Sequence, residues 1–347
     1  MTRDRYLLVK GRAGMGNRIF SLLTAVLYAR LTRRRLLVDW SDASYSSDGS
    51  NAVDRFFISG LFGPSDRIPD TDSVRPEAWR GRLRQSASAM ANALAPDLAR
   101  DPLIWKRFSV DLSKLDHPEE VLVMWTYFPL IDQLRRHFHG EFSALRGLDT
   151  ESVLRRLMRQ SLELHPAIRE RVNGLRRTWP AGPVIGVHVR HSDKTTRSGA
   201  VRRHVDELRS RHPGAPIFLA TDSRGVEDLF ARTYSGLLTA PKWYPSGPQA
   251  LHENAECPDA TMNGIEALTD LYLLAGCDYL VLDESSAFSR LAGILTDAEP
   301  SHVRDLRRLR ALPSRIRHWL WLTRESIRWG PRRVLAALSG RPPSARR

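Results

Sequence analysis

The chain has 347 residues and a formal net charge of +14, with 42% hydrophobic and 27% charged side chains, a composition that excludes disorder and is long enough for two cores. No apolar run approaches the roughly 20 residues that span a bilayer, and Met1-Thr2-Arg3-Asp4-Arg5-Tyr6 lacks the apolar core of a secretory signal, so a cytoplasmic protein is expected. Cys257 and Cys277 are the only cysteines, which excludes a disulfide framework and a thiolate zinc site.

Tyr6 to Val9 reads as a strand, Gly11 to Gly16 as a tight loop, Ile19 to Leu31 as a helix and Arg35 to Trp40 as a second strand, a βαβ opening. A glycine loop ahead of a helix lets backbone N–H groups approach a phosphate. A plain tight turn with Arg18 on the helix surface is the alternative. Asp39 follows Gly16 by 23 positions, as the ribose-binding acid does in nicotinamide-binding folds. The glycines run G-x-x-G-x-G, however, and not G-x-G-x-x-G, which argues against an oxidoreductase. Ser41 to Asn51 is a polar loop beside the expected cleft. Prolines at 64, 69, 76, 96 and 102 break any long element between 64 and 120. Asp70-Thr71-Asp72 has the D-x-D spacing that holds Mn²⁺ or Mg²⁺ elsewhere, but no strand precedes it and chance is the better account. Val121 to Phe128 reads as a buried strand whose Trp125, Tyr127 and Phe128 are mostly core; Trp243-Tyr244-Pro245, in a loop, is the better candidate for a stacking platform. Thr150 to Trp179 is helical and charged, and Pro180-Ala181-Gly182-Pro183 is the clearest boundary.

The segment Val184-Ile185-Gly186-Val187-His188-Val189-Arg190-His191-Ser192-Asp193-Lys194 is a β-branched run that stops in a cluster of charges. It reads as a buried parallel strand delivering His188, Arg190, His191 and Lys194 to its carboxyl end, where open α/β sheets bind ligands. An ordinary polar loop is the plainer alternative. Arg is rarely buried without an anion, and a diphosphate accepts its fork in bidentate geometry. Asp193 serves as a base, orients Lys194 or caps the loop. Asp222 ends the strand Ile217 to Ala220, shaping a pocket or a turn. Asp270 lies on a helix with Leu273 and Leu274 beside it, so its carboxylate is partly buried and needs donors, from a ligand or from an ion pair. Ser285 and Ser286 follow the strand Tyr279 to Leu282 and open a helix, as an anion site or as a simple N-cap. Strands alternating with helices mean two parallel α/β units.

Three blocks carry a family resemblance: Gly14-Met15-Gly16-Asn17-Arg18-Ile19-Phe20-Ser21 through Leu37-Val38-Asp39; His188-Val189-Arg190-His191; and Gly264 to Cys277 followed by Glu284-Ser285-Ser286-Ala287-Phe288-Ser289-Arg290. Together they resemble the NodZ-like α1,6 group of the GDP-fucose-dependent fucosyltransferases, in the family's order, from about residue 6 to residue 295. The resemblance implies two Rossmann-like domains facing across a cleft, the GT-B arrangement. Residues 1–179 would form the acceptor side, 180–300 the GDP-sugar-binding domain, and 301–347 a basic helical tail. It implies an inverting enzyme that moves L-fucose from GDP-fucose to a glycan hydroxyl without a metal cofactor. Gly14, Gly16, Asn17 and Arg18 would line the cleft near the diphosphate or sugar, and His188 and Asp270 would read guanine. Arg190, His191 and Lys194 would hold the diphosphate. Ser286, beside Ser285, would meet the β-phosphate, and Asp222 would shape the nucleotide pocket. Arg190 and Asp193 are the catalytic candidates. The animal enzymes carry a glutamate eight positions after the motif's first Arg, where this chain has Ser198, so no general base is assigned. A transferase of another GDP-hexose, or a nucleotide-binding protein without catalysis, are the alternatives.

The charge is concentrated at the carboxyl end. Residues 301–347 hold 13 Arg against Asp305 and Glu325, a balance of +11 that leaves +3 on the other 300 residues. No zinc-finger spacing, RNP signature or heptad zipper accompanies it, which argues against nucleic acid. Arg315 to Trp329 combines Arg and Trp in one expected helix. It either packs on the body with a solvated Arg face or lies on an anionic membrane.

Overall fold

The structure, a computed structural model, describes residues 4–63, 67–191, 198–247, 249–253, 256–307, 312 and 314–338. In the first half, strands β1 (Tyr6–Lys10) and β2 (Arg35–Asp39) flank helix α1 (Met15–Thr32). They are followed by α2 (Val53–Phe56), β3 (Phe57–Ile58), β4 (Phe62–Gly63), β5 (Val74–Arg75), α3 (Ala87–Leu94), α4 (Trp105–Phe108), β6 (Val121–Met124) and α5 (Ile131–Leu134). The sheet order is β4-β2-β1-β6-β5, every pair parallel. Leu7, Leu8 and Val9 of the central strand are fully buried, as expected of a strand covered on both faces.

Helix α6 (Thr150–Ser161), strand β7 (Glu163–Leu164) and helix α7 (Pro166–Arg177) lead to the second half. There β8 (Ile185–Val189), α8 (Ser198–Arg211), β9 (Ile217–Thr221), α9 (Arg224–Thr233) and β10 (Leu237–Leu238) precede α10 (Ala260–Ala275), β11 (Tyr279–Leu282), α11 (Ala287–Leu295), β12 (Val303–Asp305) and α12 (Ser314–Leu338). The second sheet is again parallel throughout, ordered β10-β9-β8-β11-β12. The two Rossmann-like units face across a cleft, so the expected α/β GT-B class holds.

Strand alternation decides what β8 delivers. Ile185, Val187 and Val189 pack outward with Val201, Val205, Leu208 and Phe230, so Gly186 and His188 point to the other face. A Cβ on Gly186 would stand 2.9 Å from the Cβ and Sγ of Cys277. That contact seats the strand directly on the end of α10.

Several elements differ from expectation. Strand β6 stops at Met124 and not Phe128, because the next amides are taken by hydroxyls: Trp125 N–H donates to Ser109 Oγ at 3.0 Å and Thr126 N–H to Ser21 Oγ at 3.2 Å. The loop 41–51 is pinned, not merely exposed. Asn51 bridges β2 by accepting from Trp40 N–H at 2.9 Å and donating to Val38 O at 2.7 Å, and Ser47 Oγ accepts from Ala260 N–H at 2.9 Å at the start of α10. Helix α6 packs on both α1 and α11, and α7 on α10, so the segment before the Pro180 boundary touches elements of both sheets. Val303–Asp305 adds an edge strand where the sequence read only helix. The tail helix α12 then packs on the body with Glu325 and Trp329 buried, while Ile316, Trp319 and Ile327 face outward. Among the described residues no helix is long and apolar enough to cross a membrane.

The halves meet closely at Gly16. A Cβ there would stand 2.8 Å from the backbone carbon of Ala287 and 2.9 Å from the nitrogen of Phe288. Gly16→Ala is therefore expected to destabilise the chain by about 1–3 kcal/mol, the usual cost of overpacking. Urea unfolding checks this, and an unchanged midpoint would contradict the contact.

Candidate active site

The cleft between the sheets is a cavity of about 1350 Å³. Its floor is where α1 and α11 begin. Gly14, the N-cap of α1, has no side chain to cap with, and the Tyr45 hydroxyl accepts from Met15 N–H at 2.9 Å. Ser286, the N-cap of α11, makes no side-chain capping bond, and its Oγ is buried without a partner. Neither helix has an acidic residue in its first turn. Two helix amino termini thus present partial positive charge to one hollow, and both lack the carboxylate that would neutralise it.

Around this floor the cavity is lined by Arg12, Ala13, Asn17, Phe20, His188, Arg190, Asp283, Ser285, Ser286, Arg290 and Arg307, among others. Asn17 donates from Nδ2 to Tyr127 O at 2.9 Å, tying α1 to the chain after β6. His188 shares a 2.6 Å hydrogen bond between Nδ1 and Ser289 Oγ and stacks on Phe288, with ring centroids 4.9 Å apart. Burial, reinforced by the Arg190 cation, pushes its pKa down to about 4, so the imidazole is neutral at neutral pH. Ser285 spends its hydroxyl on Asp283 at 2.6 Å, and Asp283 also accepts from Arg307 Nε at 2.8 Å. Ser286 is therefore the serine with a hydroxyl to offer.

Other expected site residues lie outside the lining. Arg18 does not reach the cavity. Its guanidinium is buried under the loop, donating from Nε to Ala13 O at 2.8 Å and from one terminal nitrogen to both Asp42 oxygens at 2.7 and 2.8 Å. It also sits over the rings of Trp40 and Tyr45. The expectation for Arg18 is corrected to a loop anchor, neither in the cleft nor on the surface. Gly14 and Gly16 are likewise packing positions, Gly14 against the His252 ring and Gly16 against Ala287. Asp222 accepts from His191 N–H at 2.7 Å and so fixes the end of β8 to the end of β9, while the His191 side chain is exposed. Asp193 and Lys194 lie outside the described residues.

Asp270 is 6% exposed and does not line the cavity. One oxygen binds Lys242 Nζ, and the other, Oδ1, is buried without a partner. Burial raises its pKa, with Lys242 opposing. The ion pair that sequence left open exists, with a lysine in place of an arginine. Lys242 Nζ also donates to Thr221 O at 3.4 Å, which sets the pair at the end of β9 beside β8.

The aromatic platform is also corrected. Tyr127 and Phe128 line the cavity, whereas Trp243 and Tyr244 do not. The Tyr244 hydroxyl bonds Glu227 and its ring lies under Arg224. Asp39, the residue that mimics a ribose acid, is consumed by Lys10 Nζ at 2.5 Å. Asp70 and Asp72 are exposed ahead of edge strand β5 and do not line the cavity, and among the described residues no three His, Cys, Asp or Glu side chains are grouped to hold a metal.

Sequence reasoning missed the arginine network beneath the floor. Arg290 donates to Glu151 at 2.8 Å, Arg317 of α12 bonds the same Glu151, and Arg317 also donates to Glu284 at 2.8 Å. Burial lowers the Arg290 pKa against the raising effect of Glu151. Its Nε and that of Arg317 are buried without partners. The one signal in sequence was Arg290 closing the Ser285 to Arg290 block.

Comparison with known proteins bears on this cleft. The family model for nodulation protein Z (NodZ) matches residues 3–75 and 148–303, which include both helix starts and the end of β8. The chain belongs to the nodulation protein Z family. It is 27% identical to nodulation protein Z of Azorhizobium caulinodans over 84% of this chain and 90% of that protein. The crystal structure of the fucosyltransferase NodZ from Bradyrhizobium superposes with a TM-score of 0.59 at 23% identity, covering 87% of this chain and 98% of that one. A NodZ α1,6-fucosyltransferase soaked with GDP-fucose gives 0.56 at 22% identity, over 85% and 93%. These structural likenesses show that the fold is shared.

Proposed function

We propose that the chain is an inverting glycosyltransferase that moves L-fucose from GDP-fucose to a sugar hydroxyl of a glycan, in α1,6 linkage. Membership of the NodZ family supports this, since NodZ relatives are α1,6-fucosyltransferases studied with GDP-fucose and with GDP. The observation that carries the reading is the floor of the cleft: the acid-free start of α11, the Ser286 hydroxyl without a partner, and Arg190 at the end of β8, lining one cavity with Asn17 of α1. Such a set binds a diphosphate.

In this reaction the acceptor oxygen attacks the anomeric carbon from the face opposite GDP. The new C–O bond forms as the bond to the β-phosphate oxygen breaks, and the hydroxyl proton passes to a base. Negative charge grows on the departing phosphate. A fixed Arg190 guanidinium and the α11 amides stabilise it more in the transition state than in the ground state. Guanine N1–H and N2–H₂ suit Asp270 Oδ1, the buried acceptor with no partner, and neutral His188 borders the same sheet edge. Arginines supply the positive charge that a metal supplies in other transferases, so this reading requires no metal cofactor. Arg190→Lys keeps the charge and loses the fork. We expect kcat/KM for GDP-fucose, measured in EDTA as release of GDP with fucosylated product, to fall by about 2–4 kcal/mol. Near-normal turnover would contradict the role.

The outward row of α12, with Ile316 39%, Trp319 61% and Ile327 75% exposed, on a strongly basic tail, supports peripheral contact with an anionic membrane surface and a place at its cytoplasmic face. The full chain is expected to sediment with phosphatidylglycerol vesicles, and a variant with Ser at 316, 319 and 327 to stay in solution. Equal recovery of both in the supernatant would remove this reading.

A further inference from the structure

The cavity is larger than the roughly 300–1,000 Å³ of a single ligand pocket, and the diphosphate floor accounts for one end of it. The facing wall is α12, which contributes Leu320, Trp321, Arg324, Glu325 and Arg328 to the lining. This helix begins at Ser314, beyond the last residue matched by the family model, 303. Residues 321, 325 and 328 share one face of it.

Two features of that face point to a ligand. The Trp321 and Phe128 rings meet with centroids 4.1 Å apart, tilted by 55°, and both border the cavity as an apolar shelf joining α12 to the chain after β6. One turn along, Glu325 is 6% exposed and its Oε2 is fully buried with no hydrogen-bond partner. A buried carboxylate oxygen without donors is costly. A ring whose broad face is C–H and whose rim is hydroxyl satisfies both groups at once.

We infer that α12 builds the acceptor subsite, in which a saccharide ring lies on Trp321 and Phe128 and donates hydroxyl hydrogen bonds to Glu325. The inference rests on the fucosyl-transfer reading for the word acceptor, but not for the presence of a saccharide site. The chemistry follows from the shelf and the carboxylate: aromatic faces take apolar ring surface, and an ionised carboxylate is an acceptor only.

The test uses the full chain, loaded with GDP, on a printed panel of neutral and acidic oligosaccharides. Wild type binds at least one glycan. Trp321→Ala weakens that signal by about ten-fold or more through loss of the shelf. Glu325→Gln, which keeps shape and volume, weakens it by about ten-fold or more through loss of charged hydrogen bonds. Trp321→Phe retains a ring and keeps binding within about three-fold, which separates lost recognition from lost folding. Unchanged binding in the Ala and Gln variants, or no glycan bound by wild type, would overturn the subsite. A GDP titration of the same wild-type sample separates the two readings: no GDP binding, with glycan binding still dependent on Trp321 and Glu325, overturns the donor assignment and leaves the subsite standing.

Discussion

Helices α1 and α11 come from different sheets and begin against each other, with no room for a single carbon on Gly16 between them. That contact fixes the cleft. It aims two amino termini at one hollow, and the absence of acids in both first turns leaves their partial charges uncancelled. Burying such ends without an anion is unfavourable, a cost that the proposed diphosphate would offset. Glu151 and Glu284 answer Arg290 and Arg317 immediately beneath, so the positive potential is held in place without closing on itself.

The same logic of incomplete satisfaction recurs around the cavity. Ser286 Oγ, Asp270 Oδ1 and Glu325 Oε2 are buried acceptors without partners, whereas the neighbouring Ser285, Asp283 and Lys242 are fully engaged. Buried polar groups in native proteins are paired with few exceptions. Several such exceptions lie at the cleft and the end of the second sheet, Ser286, Arg290, Glu325 and Asp270 among them, while others such as Arg34 and Trp40 lie elsewhere. Neutral His188, locked by Ser289 and Phe288, adds a polar edge whose charge does not change near neutral pH.

How much of this was legible in sequence depended on whether a residue's fate was local. The alternation of β8 is written in Val187 and Val189, so the delivery of His188 and Arg190 to the inner face followed from a period of two. The parallel strands followed in the same way from uninterrupted apolar runs. The fate of Arg18 did not, because its partner Asp42 lies in a loop whose path depends on Asn51 and Tyr45. Lys242 meets Asp270 only because β9 and α10 are neighbours in space, and no spacing announces that. Helix α12 posed a different difficulty. Its Arg and Trp pattern fits packing on the body slightly better than membrane contact, and only the contact of Trp321 with Phe128 reveals that one face looks into the cleft.

In the proposed reading these features serve a guanosine diphosphate held between the start of α11 and the ends of β8 and β9. Isothermal titration of the full chain with GDP, ADP and UDP tests that most directly. The account predicts saturable binding of GDP, with ADP and UDP weaker by about 10²-fold or more, since a site built around guanine donors rejects bases that lack them. Absence of GDP binding, or equal affinity for UDP, would contradict it.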